Sequence, residues 1–241
     1  MASVTPYNNS DSKKNQVAQM FDNIAFRYDF LNSLLSLGIH KGWRKKCIKL
    51  IAKKNPQYIL DVATGTADFA IEALKLNPTK VVGVDISEGM MKFGRVKIEK
   101  LKAQSKITLH YGDAETCDLA DNSMDAITVG FGVRNFEHLE KGLINMNRIL
   151  KPGGQICILE FSTPRKFPFK QFYKFYFKFV TPTLGKIFSK DARAYTYLPE
   201  SIKVFPDNEH FVSILKNCGY VNASFESLNF GLAAIYLAEK K

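Results

Sequence analysis

The chain has 241 residues, of which 46% are hydrophobic and 24% charged, with a formal net charge of +11 and a pI near 9.4. That length and balance suit one large α/β domain and exclude a disordered chain. The basic excess favours partners that carry phosphate, whether nucleic acid or anionic lipid, and says nothing about fold.

Residues 1 to about 12 are polar and read as a flexible lead without the apolar segment of a secretory signal. No stretch approaches the ~18 apolar residues of a membrane span, so the chain is expected to be cytoplasmic. From Ser12 the pattern turns helical, with Val17, Met20, Phe21, Ile24 and Tyr28 on one face. Further helices are predicted over 31–37 and 41–53, and Asn55-Pro56 ends the last. Strands follow over 58–63, 80–85, 107–111, 125–129 and 155–161, separated by helices over 67–76, 87–101 and 139–150. Strands rich in β-branched residues, alternating with helices, predict a mostly parallel sheet covered on both faces. A helix over 207–217 and strands over 220–228 and 231–238 close the chain as an antiparallel hairpin. The organisation expected is a single domain: a helical cap (1–56), a ligand-binding core (57–162), an insertion (163–206) and a closing helix and hairpin (207–241).

The four cysteines, Cys47, Cys117, Cys157 and Cys218, form no C-x-x-C pair and read as free thiols in a reducing compartment. No metal site is expected.

Three strand ends carry the ligand signals. Asp61 to Asp68 (DVATGTAD) turns the first strand into the first helix, and Gly65 lets the backbone approach a ligand there. Asp85 ends the second strand twenty residues later, where a carboxylate accepts ribose hydroxyls. Asp113, after the third strand, can take an adenine amino group; its bland alternative is a loop aspartate. The dinucleotide fingerprint G-x-G-x-x-G is absent. Asp61 disfavours a pyrophosphate and suits the positive groups of S-adenosylmethionine. Methyl transfer is therefore favoured over hydride transfer.

The segments LDVATGTADFA, VVGVDISEGMM, YGDAE, ITVGFGVRNFEH, RILKPGG and YTYLPESI, with the lead MFDNIAFRYDFLNSLLSLGIHKGWR, together resemble the ubiquinone/menaquinone biosynthesis C-methyltransferases, from about Val17 to Ala238. The resemblance implies a Rossmann-like class I methyltransferase with a seven-stranded sheet and N-terminal capping helices. It also implies a donor site at Thr66, Asp85, Asp113 and Ala114, to which Asp61, Gly65 and Gly130 are added here. Two positions depart from the family pattern: Gly130 stands where serine is common, and Ala67 replaces a glycine of the turn.

Methylation of an aromatic carbon needs an electron-rich ring held against the methyl, and stabilisation of phenolate charge. Arg134 and Asn135 follow the fourth strand and are the predicted catalytic pair; the bland alternative for Arg134 is an ion pair with Glu137. Tyr28, Asn32, Tyr195, Tyr197 and Ser201 are predicted acceptor-side residues, Asp29 accompanies them in the lead, and His40 is a possible base, with packing and capping as the alternative for each.

The stretch 165–180 sets Lys166, Lys170, Lys174 and Lys178 four apart among aromatics. It reads equally as an interfacial helix on an anionic bilayer or as an aromatic core helix with a solvated lysine face. The expected acceptor is demethylmenaquinol, with a demethylated benzoquinol as alternative. Expected partners are that prenylated quinol, an anionic membrane surface and a second copy of the chain. A nucleic-acid methyltransferase is disfavoured because GFGVRNF lacks a proline-aromatic acceptor motif. A non-catalytic basic scaffold is disfavoured because Asp85 and Asp113 are intact.

Overall fold

The computed structural model describes residues 4–7, 10–180, 191 and 193–241. Three helices lead: α1 (Lys13–Ile24), α2 (Tyr28–Leu35) and α3 (Ile39–Ile51). The core follows as β1 (Tyr58–Val62), α4 (Asp68–Ala73), β2 (Lys80–Asp85), α5 (Glu88–Lys100), β3 (Ile107–Tyr111), β4 (Met124–Gly130), α6 (Leu139–Ile149) and β5 (Leu150–Phe161). Then come α7 (Phe169–Phe175), running into a π-helical turn (Tyr176–Val180), α8 (Arg193–Val204), α9 (Glu209–Asn217), β6 (Tyr220–Leu228) and β7 (Ala233–Lys240).

The seven strands form one sheet in the order β3-β2-β1-β4-β5-β7-β6. The first five pair in parallel, and β7 runs antiparallel between β5 and β6. This is the predicted mixed sheet with its closing hairpin. The chain leaves β1 for β2 on one side and returns to β4 on the other, so a crevice opens at the carboxyl ends of β1 and β4, where open α/β sheets bind ligands. Pro152-Gly153-Gly154 lies inside β5 rather than before it. The register jumps there from Met124↔Leu150 to Ala126↔Gln155, which is how a strand absorbs a turn sequence.

Two apolar layers cover the sheet. One gathers Ile127, Val129, Leu143, Met146, Phe211 and Tyr236, and the other Trp43, Ile51, Ile59, Phe69 and Ile235. A third cluster joins Val17, Met20 and Leu31 of the lead to Ala194, Tyr195 and Tyr197 of α8. That pairing brings the cap onto a helix about 170 residues away in sequence, out of reach of a local reading.

Three expectations change. Residues 4–7 of the lead are docked, not free: the Tyr7 amide donates to Gln16 Oε1 at 2.9 Å and Arg193 Nε to the Pro6 carbonyl at 2.6 Å. Helix α8 was not foreseen, because Pro199 in its interior reads as a break. Within 165–180 the lysines do not form one stripe: Lys166 precedes α7, Lys178 lies in the π-turn, and the four-residue spacing holds in the helix for Lys170 and Lys174. No side chain of α7 is buried, so the core-helix reading fails. The insertion proposed over 163–206 includes 181–190 and 192, which lie outside the described residues.

Candidate active site

The donor turn is a tight backbone device. Ala63, Gly65 and Ala67 all have positive φ (54°, 54° and 63°), which makes the turn tight and costs the two alanines strain that a glycine avoids. Asp85 fixes this turn. Its Oδ2 accepts from the Gly65 amide at 2.7 Å and its Oδ1 from the Ser87 amide at 2.8 Å. Burial, and then Asp22 nearby, push the Asp85 carboxyl up to about 6.

Helix α1 roofs the crevice. Its Lys13 Nζ donates to the carbonyls of Arg134 and Phe136 at 3.1 and 2.9 Å. Asp22 Oδ1 accepts from Ser87 Oγ at 2.6 Å and from the Gly89 amide at 2.9 Å, holding the N-terminus of α5. Lys14 pairs with Asp113 at 3.2 Å. Asp22, Lys13 and Lys14 carried no signal in the sequence, because lead-segment polar residues look alike until a partner is placed beside them.

The predicted donor residues separate into two groups. Gly65, Asp85, Asp113, Ala114 and Gly130 line the crevice, together with Asn135. Asp61 and Thr66 do not. Asp61 turns inward and accepts from Thr64 Oγ1 at 2.6 Å, Thr128 Oγ1 at 2.8 Å and the Ala70 amide at 3.1 Å. These three bonds brace the turn. Thr66 Oγ1 donates to Asp29 Oδ1 at 2.7 Å and accepts from Lys97 Nζ at 2.9 Å. Lys97 also bridges Asp29 and Asp68, so Thr66 helps lock α2 to the donor turn. Gly130 has a reason of its own: a Cβ there would lie 2.7 Å from the Phe69 ring, so Phe69 occupies the room a serine would need.

Burial raises the Asp61 carboxyl to about 6 against hydrogen bonds that lower it. A carboxyl raised in the folded state adds stability below about pH 4 that is lost as pH rises to about 6. Asp61→Asn is nearly isosteric, and its amide can donate to Thr128. The variant is expected to match the parent at pH 4 and to exceed it by about 1–2 kcal/mol at pH 8. Urea melts at the two pH values check this; a variant less stable at pH 8 would contradict it.

Beside the crevice lies a second cavity of about 490 Å³, mostly apolar. Tyr28, Asn32, Tyr195 and Tyr197 line it as predicted, and His40, Trp43 and Arg134 line it too. Ser201 does not: its hydroxyl donates to the Leu198 carbonyl at 2.9 Å and accepts from Arg134 Nε at 3.3 Å. Tyr197 reaches across to donate to Asn135 Oδ1 at 3.0 Å. Arg134 pairs with Glu160, not Glu137: Nη1 donates to Oε1 at 2.8 Å. Its cation also stacks 5.5 Å from the Phe161 ring centre. Glu160, a lone acid in the apolar run ICILEF, is the functional-site residue that the sequence did signal and that was passed over. The crevice and the cavity share Phe21, Tyr28 and Phe131, so the two meet at these rings.

Comparison with known proteins places this geometry. The model of the ubiE/COQ5 methyltransferase family matches residues 9–240. A demethylmenaquinone methyltransferase of Bacteroides fragilis is 50% identical over 98% of this chain and 97% of its own. One from Porphyromonas gingivalis is 42% identical, covering 98% of each. The ubiquinone/menaquinone biosynthesis C-methyltransferase UbiE of Geobacter sulfurreducens is 43% identical over 95% of this chain and 90% of that one. Among solved structures, the [4+2]-cyclase SpnF superposes with a TM-score of 0.67 at 15% identity, covering 98% of this chain and 99% of that one. A SAM-dependent methyltransferase of Thermotoga maritima gives 0.63 at 18%, covering 93% and 99%. Identities this low establish the fold alone. With a family model spanning almost the whole length and relatives near half identical, the chain belongs to the ubiE/COQ5 methyltransferase family.

Proposed function

We propose that this protein methylates a ring carbon of a demethylated, prenylated naphthoquinol, with S-adenosylmethionine as donor. The observation that carries the reading is the junction of two unlike cavities at Phe21, Tyr28 and Phe131. The crevice fits the donor: Asp85 and Asp113 offer carboxylates at two strand ends, and the Gly65 turn offers close backbone. Bound there, S-adenosylmethionine supplies an electrophilic methyl on a sulfonium.

The chain's own residues do the rest. The aromatic and aliphatic lining of the larger cavity takes a flat ring and excludes water, which strengthens each remaining electrostatic contact. Arg134 supports the ring's developing phenolate charge, while Glu160 keeps the guanidinium in place. Asn135 and Tyr197, bonded to each other, link the walls of crevice and cavity. The naphthoquinol is preferred to a benzoquinol on the names of the two relatives from Bacteroides and Porphyromonas.

The decisive experiment offers labelled S-adenosylmethionine with reduced demethylmenaquinone and, separately, a reduced demethylated benzoquinone, and reads the products by mass spectrometry. Methylation of the naphthoquinol ring is expected. Donor binding without transfer to either ring would overturn the acceptor reading.

The prenyl tail leaves by the mouth between α2, α3 and α7. Leu37, Phe172 and Phe175 line the cavity yet are 87%, 67% and 59% exposed, and no described helix is long and apolar enough to cross a membrane. An exposed apolar rim flanked by Lys170 and Lys174 suits the surface of an anionic bilayer. Lys170→Glu with Lys174→Glu is expected to reduce binding to phosphatidylserine-containing liposomes at least about tenfold at low salt. Equal pelleting of parent and double variant would remove the electrostatic part of this reading.

A further inference from the structure

We propose that His40 makes the larger cavity selective for the reduced form of its ligand, by presenting an unprotonated Nε2 that accepts a ring hydroxyl. The inference rests on the quinol reading above and adds a specificity-determining residue to it.

The tautomer follows from three atoms. Ser36 Oγ lies 2.6 Å from the Asn32 carbonyl oxygen, which can only accept, so the single hydroxyl hydrogen of Ser36 is spent there. The same Oγ lies 2.5 Å from His40 Nδ1. With no hydrogen left on Ser36 for this contact, Nδ1 must carry it and donate. Burial, and then the neighbouring Arg44, push the imidazole down to about 4, so it holds no second proton at neutral pH. Nε2 is therefore a bare acceptor. His40 is buried against the cavity wall, and no described group donates to Nε2.

An acceptor in an apolar wall discriminates by redox state. The cavity lining is mostly apolar, and the Trp43 Nε1–H is already given to Asn229 Oδ1 at 2.6 Å. A quinol hydroxyl donates to Nε2; a quinone carbonyl meets it lone pair against lone pair and leaves it unsatisfied. Donors such as the Arg134 guanidinium cannot make this distinction, because hydroxyl and carbonyl oxygens both accept from them. The selection has a chemical use: only the electron-rich quinol can take a methyl on its ring, and an oxidised quinone would occupy the cavity without reacting.

Trp43 is the sole tryptophan and lines the cavity, so its fluorescence reports occupancy without turnover. The test is an anaerobic titration with a short-tailed 2-prenyl-1,4-naphthoquinone, as the quinone and after dithionite reduction. The unmodified protein is expected to bind the quinol about tenfold tighter, the worth of one hydrogen bond that would otherwise be lost. His40→Phe should bring the preference below about twofold, with quinone affinity unchanged or improved. His40→Gln, which keeps an acceptor oxygen near the Nε2 position, should retain most of it. Ser36→Ala, which frees the tautomer, should lower it while the circular dichroism spectrum of the fold is kept. A tenfold preference surviving in both His40→Phe and Ser36→Ala, or equal binding of both forms by the unmodified protein, would overturn the inference and leave the quinol reading standing. Binding of neither form would overturn both.

Discussion

Glu160→Ala is expected to cost about 3–5 kcal/mol and to lower the melting midpoint by about 6–20 °C. The side chains of Glu160 and Arg134 are 0% and 6% exposed, so neither charge has water to fall back on. Removing the acid leaves a buried guanidinium unpaired. It also strips acceptors from the Phe161 amide at 2.8 Å and the Arg134 amide at 3.3 Å. Burial pushes the Glu160 carboxyl up while Arg134 opposes the shift, the signature of a charge that is tolerated because it is paired. Arg134→Met combined with Glu160→Leu should recover most of the lost stability, since replacing both members of a buried pair is far cheaper than orphaning one. The same double variant should lose methyl transfer while keeping donor binding, separating the pair's structural role from its chemical one. Scanning calorimetry and single-turnover assays decide it. A Glu160→Ala protein that melts within about 2 °C of the parent would show that the pair is not isolated from solvent.

Asp85→Ala is expected to weaken binding of S-adenosylhomocysteine about 100-fold or more. A carboxylate facing a ribose diol accepts two charge-assisted bonds, each worth about 1.5–3 kcal/mol, and each 1.4 kcal/mol is a factor of ten. The same group accepts from the Gly65 and Ser87 amides, so its removal also loosens the donor turn. Isothermal calorimetry with the demethylated product reads affinity without turnover. A loss under about fivefold would mean that the diol is held elsewhere. Asp113→Ala should cost less, because Lys14, 40% exposed and screened by solvent, already pairs with one Asp113 oxygen and competes with a ligand for it.

The two variants probe sites of different legibility. Asp85 was readable from spacing, because a strand, its terminal acid and the preceding glycine turn are local features. The ranges of β2 and β3 were legible to the residue for the same reason: KVVGVD and ITLHY are bounded apolar runs whose side chains need only a neighbouring strand. Asp61 and Thr66 sit in the same turn, yet neither lines the crevice. Which way a side chain points from a left-handed turn depends on φ values that composition does not show. In the event Thr128 and Asp29, 67 and 37 residues away, captured them.

The sequence by itself determined the doubly wound sheet, its closing hairpin and the placing of Gly65, Asp85 and Asp113 at strand ends along one crevice, because periodicity and turn chemistry act over a few residues. Only the tertiary structure decided the larger cavity. Its walls come from α1, α2, α3, the loop after β4, the end of β5, α7 with its π-turn, α8 and Leu232 before β7, segments up to about 210 residues apart. It also decided that Arg134 answers to Glu160, that α8 persists through Pro199, and that His40 Nδ1 meets Ser36 Oγ. Each of these depends on which distant group lies within about 3 Å, a distance that packing of the whole chain sets and that no local pattern encodes.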